Sequence, residues 1–463
     1  MESEAETLSE GLEPSPSASV WRERTLLSGV PAVKIGAIGR QLAVVAGWSL
    51  AAAIIARSAN LIAIILCARI LQQEEFGKVA ILQSTVGMFG PLAALGLSMT
   101  ATKFVAEYRD TDRLRAGRIV TLSLVLALTA GLIMTGALIL LAPQIAQRGL
   151  ASPGLEKQLV EASGLLILGV LDSVQTGALT GLEAFSRIAK LSAWSALLSI
   201  PAVTMLAYRY QGSGAIIGLT FALGLTCVLN SVALRAECRR WKIPFVLRGC
   251  LSERRVLVGF SLPSYLSGVV VASVNWLANT LLVSHSGGFS EVALYSAADR
   301  YRFLLIFVPL SISRIAVPAL SRLRATGDNK GFNEAFRWNV GFGLLSILPP
   351  AVACALLAPR LMSLFGASFV RGWPVLAILA LSSIPTVLNT QFGAALLSAG
   401  RAWTRTAIDG LLAAVFLGSA YTLIPRWNSI GLAAAFLVSY SFAAVALCIC
   451  LRQKAPGIEG YHG

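Results

Sequence analysis

Charge is scarce in this sequence: Asp, Glu, Lys and Arg together make up 13% of 463 residues, roughly half of the ~25% found in soluble domains. Histidine is scarcer still, with only His285 and His462. The seven Cys are an odd number and form no C-x-x-C pair; Cys67, Cys227, Cys354, Cys448 and Cys450 lie in apolar runs, and Cys238 and Cys250 in one basic loop. Those spacings exclude a disulfide framework and a Cys/His metal centre. The single Gly-Lys pair, Gly77-Lys78, is followed by Val79, so the phosphate cradle of a nucleoside triphosphatase is missing. Gly341-Phe342-Gly343 has Ser346 where a dinucleotide fingerprint needs its third glycine. Asp110-Thr111-Asp112 sits among Arg109, Arg113, Arg115 and Arg118 and reads as solvated loop charge. No catalytic constellation, cofactor site or metal site is expected.

What remains is apolar. Residues of the hydrophobic set are 56% of the chain and the mean hydropathy is +0.72, which excludes a string of soluble domains and predicts a polytopic membrane protein. Met1 to Val20 hold five Glu and no Lys or Arg, unlike the basic start of a signal peptide; a disordered tail is expected over 1–41. Twelve apolar stretches follow, at 42–67, 79–101, 119–142, 162–180, 191–207, 214–234, 256–283, 292–315, 340–357, 375–399, 407–424 and 430–451. Most match the ~20 residues that cross a bilayer as helix. The loops between them average about 13 residues, too short for a folded domain.

The net charge of +15 would suggest a nucleic-acid partner in a soluble chain. Here it has a topological origin. With the N-terminus cytoplasmic, 26 Lys/Arg fall on the inner side against 8 on the outer, and four Arg fall inside spans. Both termini are therefore expected inside. Arg235 to Arg255 is the richest inner loop, suited to topology or to anionic lipid. Phe76-Gly77-Lys78-Val79-Ala80-Ile81 and Phe289-Ser290-Glu291-Val292-Ala293-Leu294 share F-x-x-V-A followed by Ile or Leu, 213 residues apart. Because six is even, a repeat in that register has both halves in the same orientation. The expected fold is all-α, twelve transmembrane helices in two parallel six-helix lobes: 42–255 with the basic loop, and 256–451, before a short inner tail at 452–463.

At this point the local sequences are similar to those of polysaccharide flippases in the multidrug/oligosaccharidyl-lipid/polysaccharide (MOP, MATE-like) exporter superfamily. Ala68-Arg69-Ile70-Leu71-Gln72-Gln73-Glu74-Glu75-Phe76-Gly77 resembles A-R-x-L-x-x-x-E-[FY]-G after the first helix. Gly181-Leu182-Glu183-Ala184-Phe185, Val292 to Ala298, Pro318-Ala319-Leu320-Ser321-Arg322 and Ala399-Gly400-Arg401 resemble four further motifs, in order. The resemblance implies a central cavity opening alternately to each side of the bacterial inner membrane. It also implies a polyprenyl-pyrophosphate-linked oligosaccharide as cargo, membrane lipid as surroundings and a polysaccharide polymerase or export machinery as neighbour. Ala278-Asn279 stands where many relatives carry an acid late in helix seven. The alternatives are an ion-coupled exporter of small molecules and a membrane-bound glycan ligase or polymerase; for the latter the longest outer loop, Pro143 to Glu161, is short.

A charge near the bilayer centre costs at least ~2.5–3.5 kcal/mol if it faces lipid. Arg57 lies mid-span in the first stretch, on a face with Ser49, Ala53, Asn60 and Ala63. Arg302 is ten residues inside the eighth stretch, ~15 Å deep at helical rise. Asp299 and Arg302, three apart, can pair on one face, which leaves Arg300 as the cation for cargo. Asp172 is also near midplane and could neutralise Arg57 or accept a proton, while Asp409 is expected at the interface. The candidates for cargo binding are thus Arg57, Arg300, Arg302 and Asn60, and for ion or proton coupling Asp172 and Asp299. Arginine suits a pyrophosphate because its planar fork offers paired donors.

Overall fold

The computed structural model describes residues 32–150, 152–246, 254–285, 287–325, 329–398 and 401–452. Of the tails expected at 1–41 and 452–463, residues 1–31 and 453–463 lie outside them, as does Cys250, and so do the side chains of Arg314 and of the Pro318–Arg322 motif; residues 32–41, expected to be disordered, are helical. Among the described residues there is helix and turn and no strand. Residues 32–51 are helical and form a unit of their own. Residues 52–463 form the second unit.

Seven helical stretches are long and apolar enough to cross a bilayer. Three of them are doubled. Phe185–Arg240 runs for 56 residues, about 84 Å if straight, yet Gly218 lies against Val203, a Cβ built on it being 2.8 Å from the Val203 Cα. In one helix those residues would stand ~22 Å apart, so the chain reverses, at Gln211 with φ 53°. The same reversal occurs at Asn428 with φ 47°, where Phe416 and Phe436 pack ring on ring at 6.0 Å. A third break stands at Gln72 with φ 61°. Counting those stretches as pairs and adding Arg254–Val283 and Gly288–Ala325 gives twelve helices.

They are α1 (32–71), α2 (73–94, resumed as Leu97–Tyr108 after a break at Leu95 and Gly96), α3 (Arg113–Gln144), α4 (Glu156–Gly181), α5 (185–210) and α6 (212–240). The second six are α7 (Arg254–Val283), α8 (Gly288–Ala325), α9 (Asn329–Leu356), α10 (Trp373–Ser398), α11 (402–427) and α12 (429–452). Each predicted apolar stretch falls on one of them. Helix α6 outruns its apolar stretch as far as Arg240, so Cys238, assigned by sequence to a loop, is helical and buried.

The two halves repeat one plan. In the first, α4 packs on α3, on the second piece of α2 and on the α5–α6 hairpin; in the second, α10 packs on α8, α9 and the α11–α12 hairpin. Small residues permit the close seating of α2 on α4, where Ser98 Oγ donates to the Ser173 carbonyl at 2.8 Å and Thr102 Oγ1 to that of Gly177 at 2.9 Å. The hairpins match as well. Gly214 packs on the Leu206 carbonyl and Gly431 on that of Leu423. Glu75 and Gln158 both lie close to Gly212 in the first half. Glu291 accepts from the Ser429 N–H at 3.3 Å and from its hydroxyl, with Arg371 at 3.5 Å. Each half thus places a glutamate from the start of its second helix beside its own fifth-to-sixth hairpin.

Candidate functional site

The halves meet along α1 and α2 of the first and α7 and α8 of the second. At the end of the bundle near the Gln72 turn, Phe76 is buried against Phe365 and Phe369, with ring centroids 6.2 and 5.9 Å away. Gln73 donates to the Ser290 carbonyl at 3.1 Å, and Arg69 Nε to that of Leu364 at 2.6 Å. Gly77 lies against the Phe289 carbonyl so closely that a Cβ would collide with its oxygen and stand 2.6 Å from its carbon. The two copies of the sequence repeat therefore meet here, Gly77 of the first against the Phe289 backbone of the second. Outside this seal is a cavity of about 840 Å³ bordered by Gln72, Glu74, Ser290, Ser363 and Ser368.

Deeper in, the polar contacts between halves come from three consecutive residues of α2. Gln83 Oε1 accepts from Arg300 Nη2 at 2.6 Å, Ser84 Oγ from Asn279 Nδ2 at 3.1 Å, and Thr85 Oγ1 from Trp276 Nε1 at 3.0 Å. Sequence reasoning missed this ladder. Its signal was a polar triplet between Ile81-Leu82 and Val86 in an apolar run. Asn279 thus spends its amide on Ser84.

Arg57 is exposed on α1, and its guanidinium lies over the Phe307 ring of α8, 4.4 Å from the centroid. Asn60, three residues on, is exposed too. Arg300 and Phe307 are seven residues apart on α8, a rise of about 10 Å. Arg57 and Arg300 accordingly lie at different depths of one seam, each reaching from its own half to the other. Arg302 does not join them. It is buried in the second half, 2.6 Å from Asp299 and between the Phe303 and Phe436 rings at 4.8 and 4.4 Å.

Asp172 accepts from Asn230 Nδ2 at 2.9 Å, and its contacts do not include Arg57. Asp409, expected at the interface, is buried within the protein and bound by both ends of the Arg405 guanidinium at 2.9 and 3.1 Å. Sequence reasoning left Arg405 outside the span, so this pair was out of view. Arg405 also donates to the Asn389 carbonyl at 2.9 Å, and Asn339 donates to Gln391 in a buried amide pair. A second cavity, of about 460 Å³, opens between α2, α4 and α7, with Gly90, Pro91, Leu166, Gly169 and Tyr265 on its walls. Among the described residues no group of three or more His, Cys, Asp or Glu is placed to hold a metal ion. Two guanidinium groups on a seam between halves can bind an anion; they do not make or break bonds.

The chain is similar in sequence and in fold to known proteins. The chain is 25% identical over 436 residues to the EPS I polysaccharide export inner membrane protein EpsE of Ralstonia solanacearum, spanning 89% of this chain and 93% of that protein. It is 24% identical over 349 residues to the succinoglycan biosynthesis transport protein ExoT of Rhizobium meliloti, spanning 73% and 65%. Its fold superposes at a TM-score of 0.69 on a multidrug resistance MATE family transporter of the MOP superfamily in the inward-facing conformation, with 17% identity over 85% of this chain and 93% of that one. The lipid II flippase MurJ, in an inward closed conformation, gives the same score at 14% identity over 87% of each chain. A family model described as polysaccharide biosynthesis protein matches residues 45–324. With more than half its length matched and the fold of MOP transporters, the chain belongs to the polysaccharide biosynthesis protein family.

Proposed function

We propose that this protein flips a polyprenyl-pyrophosphate-linked oligosaccharide across the bacterial inner membrane, for polysaccharide synthesis and export, without catalysing a covalent step. The observation that carries the reading is the seam between halves, where Arg57 reaches Phe307 and Arg300 reaches Gln83. A pyrophosphate held by both cations draws the halves together, so occupancy is coupled to rocking through differential affinity for the two states. The sugar head cannot cross hydrocarbon bare, whereas the prenyl tail loses nothing by staying in lipid. The head therefore travels between the halves, 42–255 and 256–451, with Asn60 one turn from Arg57 as a polar contact, while the tail remains outside. Arg302 and Asp299 neutralise each other inside the second half and serve its packing. Asp172, whose partner is an amide rather than a cation, is the residue for proton or ion coupling. The end sealed by Phe76 is the periplasmic one, both termini are cytoplasmic, and glycan polymerase or export proteins take the product.

The test is a flipping assay in vesicles loaded with a lipid-linked oligosaccharide. Arg57→Ala and Arg300→Ala should each abolish outer-leaflet appearance while the protein remains folded, and Lys at either position should restore part of it as charge without the fork. Normal flipping by both Ala variants rejects the reading. Loss of drug efflux with intact flipping in a deletion strain would favour a small-molecule exporter.

A further inference from the structure

The rungs of the α2 ladder differ in one respect. Ser84 and Thr85 accept from the neutral donors Asn279 and Trp276, whereas Gln83 accepts from the guanidinium of Arg300. Its contact, at 2.6 Å, is the shortest of the three, in the range of charge-assisted hydrogen bonds. Arg300 is half-buried, and Gln83 is too. The fork of Arg300 therefore meets its acceptor across the seam, on the opposite half, at the position where an anion between the halves would sit.

We propose that Gln83 is a positioning residue that stands in for the cargo anion: with no cargo it occupies the Arg300 fork through its amide oxygen, and a phosphate oxygen of the bound pyrophosphate replaces it there. The inference rests on the reading of Arg300 as a cargo cation and adds the group with which cargo competes. A half-buried guanidinium with no acceptor is costly, so the amide keeps the empty seam closed and the Arg300 fork aimed. A phosphate oxygen carries charge where the amide carries only a dipole, so it displaces Gln83 on electrostatic grounds. Loss of the Gln83 rung at that moment releases α2 from α8 at this depth, while Ser84 and Thr85 still hold it to α7. Anion arrival thus loosens one contact between the halves while the anion supplies another, which is what a carrier needs if binding is to permit movement rather than only adhere.

Competition gives opposite signs to two substitutions at one position, which a merely structural role does not. The test uses the full chain in nanodiscs, with a short-chain prenyl pyrophosphate as probe, the prenyl alcohol as control and binding followed by calorimetry. Gln83→Ala removes the competitor and should tighten pyrophosphate binding by about threefold to tenfold, the competitor being one hydrogen bond to a charged group partly offset by solvent. Gln83→Glu puts a full negative charge on the fork and should weaken binding by about tenfold or more. Gln83→Met, close in shape, guards against packing collapse and should behave as Ala. Ser84→Ala separates competition from loosening, because it removes a rung without touching the cation. Equal tightening by Ser84→Ala, unchanged affinity in Gln83→Ala and Gln83→Met, or tighter binding by Gln83→Glu would each overturn the exchange. If Arg300→Ala abolishes binding while the Gln83 variants match the native protein, the exchange alone is wrong. If Arg300→Ala binds like the native protein, the reading of Arg300 as a cargo cation falls with it.

Discussion

Replacing Gly77 by alanine should prop open the end of the bundle that Phe76 seals. The new methyl would stand 2.6 Å from the Phe289 carbonyl carbon and collide with its oxygen, roughly 1 Å closer than van der Waals contact allows. The obstacle is backbone on both sides, so no side-chain rotation relieves it, and the halves must separate by about that distance at the seam. A movement of 1 Å takes the 3.1 Å bond from Gln73 to Ser290 beyond hydrogen-bond range. It also strains the bond from Arg69 to Leu364, which lies at the exposed rim and counts for less. About 1 kcal/mol for the first and about 0.5 for the second give ~1.5 kcal/mol, a factor of about 13 in the ratio of sealed to open states. Spin labels on Cys substituted for Glu74 and Ser368, exposed residues on opposite sides of the outer cavity, report that ratio by pulsed dipolar spectroscopy. The Gly77→Ala protein should shift the distribution to longer distances and flip cargo more slowly. An unchanged distribution with unchanged flipping would refute the close approach as a determinant of the seal.

Other outcomes follow from contacts elsewhere. Asp299→Asn or Arg302→Leu alone leaves a buried partner uncompensated and should cost about 3 kcal/mol or more, seen as a lower unfolding temperature in detergent, whereas Asp299→Leu with Arg302→Leu should recover most of it; a double variant as unstable as either single one would contradict this. Asp172→Asn keeps an acceptor for Asn230 and removes the titratable group, so flipping should lose its dependence on the proton gradient with little change in stability; retained dependence would clear Asp172 of coupling. Glu291→Ala frees the Ser429 N–H and hydroxyl and should lower stability by about 1–2 kcal/mol, measured as the same thermal shift. Cys placed at Ser368 should react with an impermeant thiol reagent from outside the cell, and Cys at Thr111, exposed between α2 and α3, only after permeabilisation; the reverse pattern would invert the orientation.

The twelve helices were legible because lipid leaves the chain no alternative to a long apolar helix, and length and hydropathy record that directly. The repeat was legible too, in F-x-x-V-A, although only the fold shows its two copies pressed together at Gly77 and Phe289. The pairing of Asp299 with Arg302 followed from helical spacing alone. Where a partner lay on another helix, spacing was silent. Asp172 took Asn230 on α6, 58 residues away, and neither of the roles left open for it by sequence specified that contact. Asp409 was read from its place near a span end, which did not reveal that Arg405 one turn before it is its partner. The polar triplet Gln83-Ser84-Thr85 was visible and unremarked, since a hydroxyl can also bond its own helix, as Ser419 does.

The two fifth-to-sixth hairpins, whose helices meet at a single non-helical residue, Gln211 or Asn428, bear on how the chain enters the membrane during synthesis. With no loop to leave behind, the turn cannot rest in solvent on the far side until both arms are long enough to reach it. Helix α5 without α6, or α11 without α12, would strand a polar chain end inside hydrocarbon. Each pair should therefore leave the insertion machinery as one unit. A chain ended and released after residue 211 should leave α5 open to an impermeant thiol reagent at a cysteine placed on it, and one ended after residue 240 should leave both helices protected.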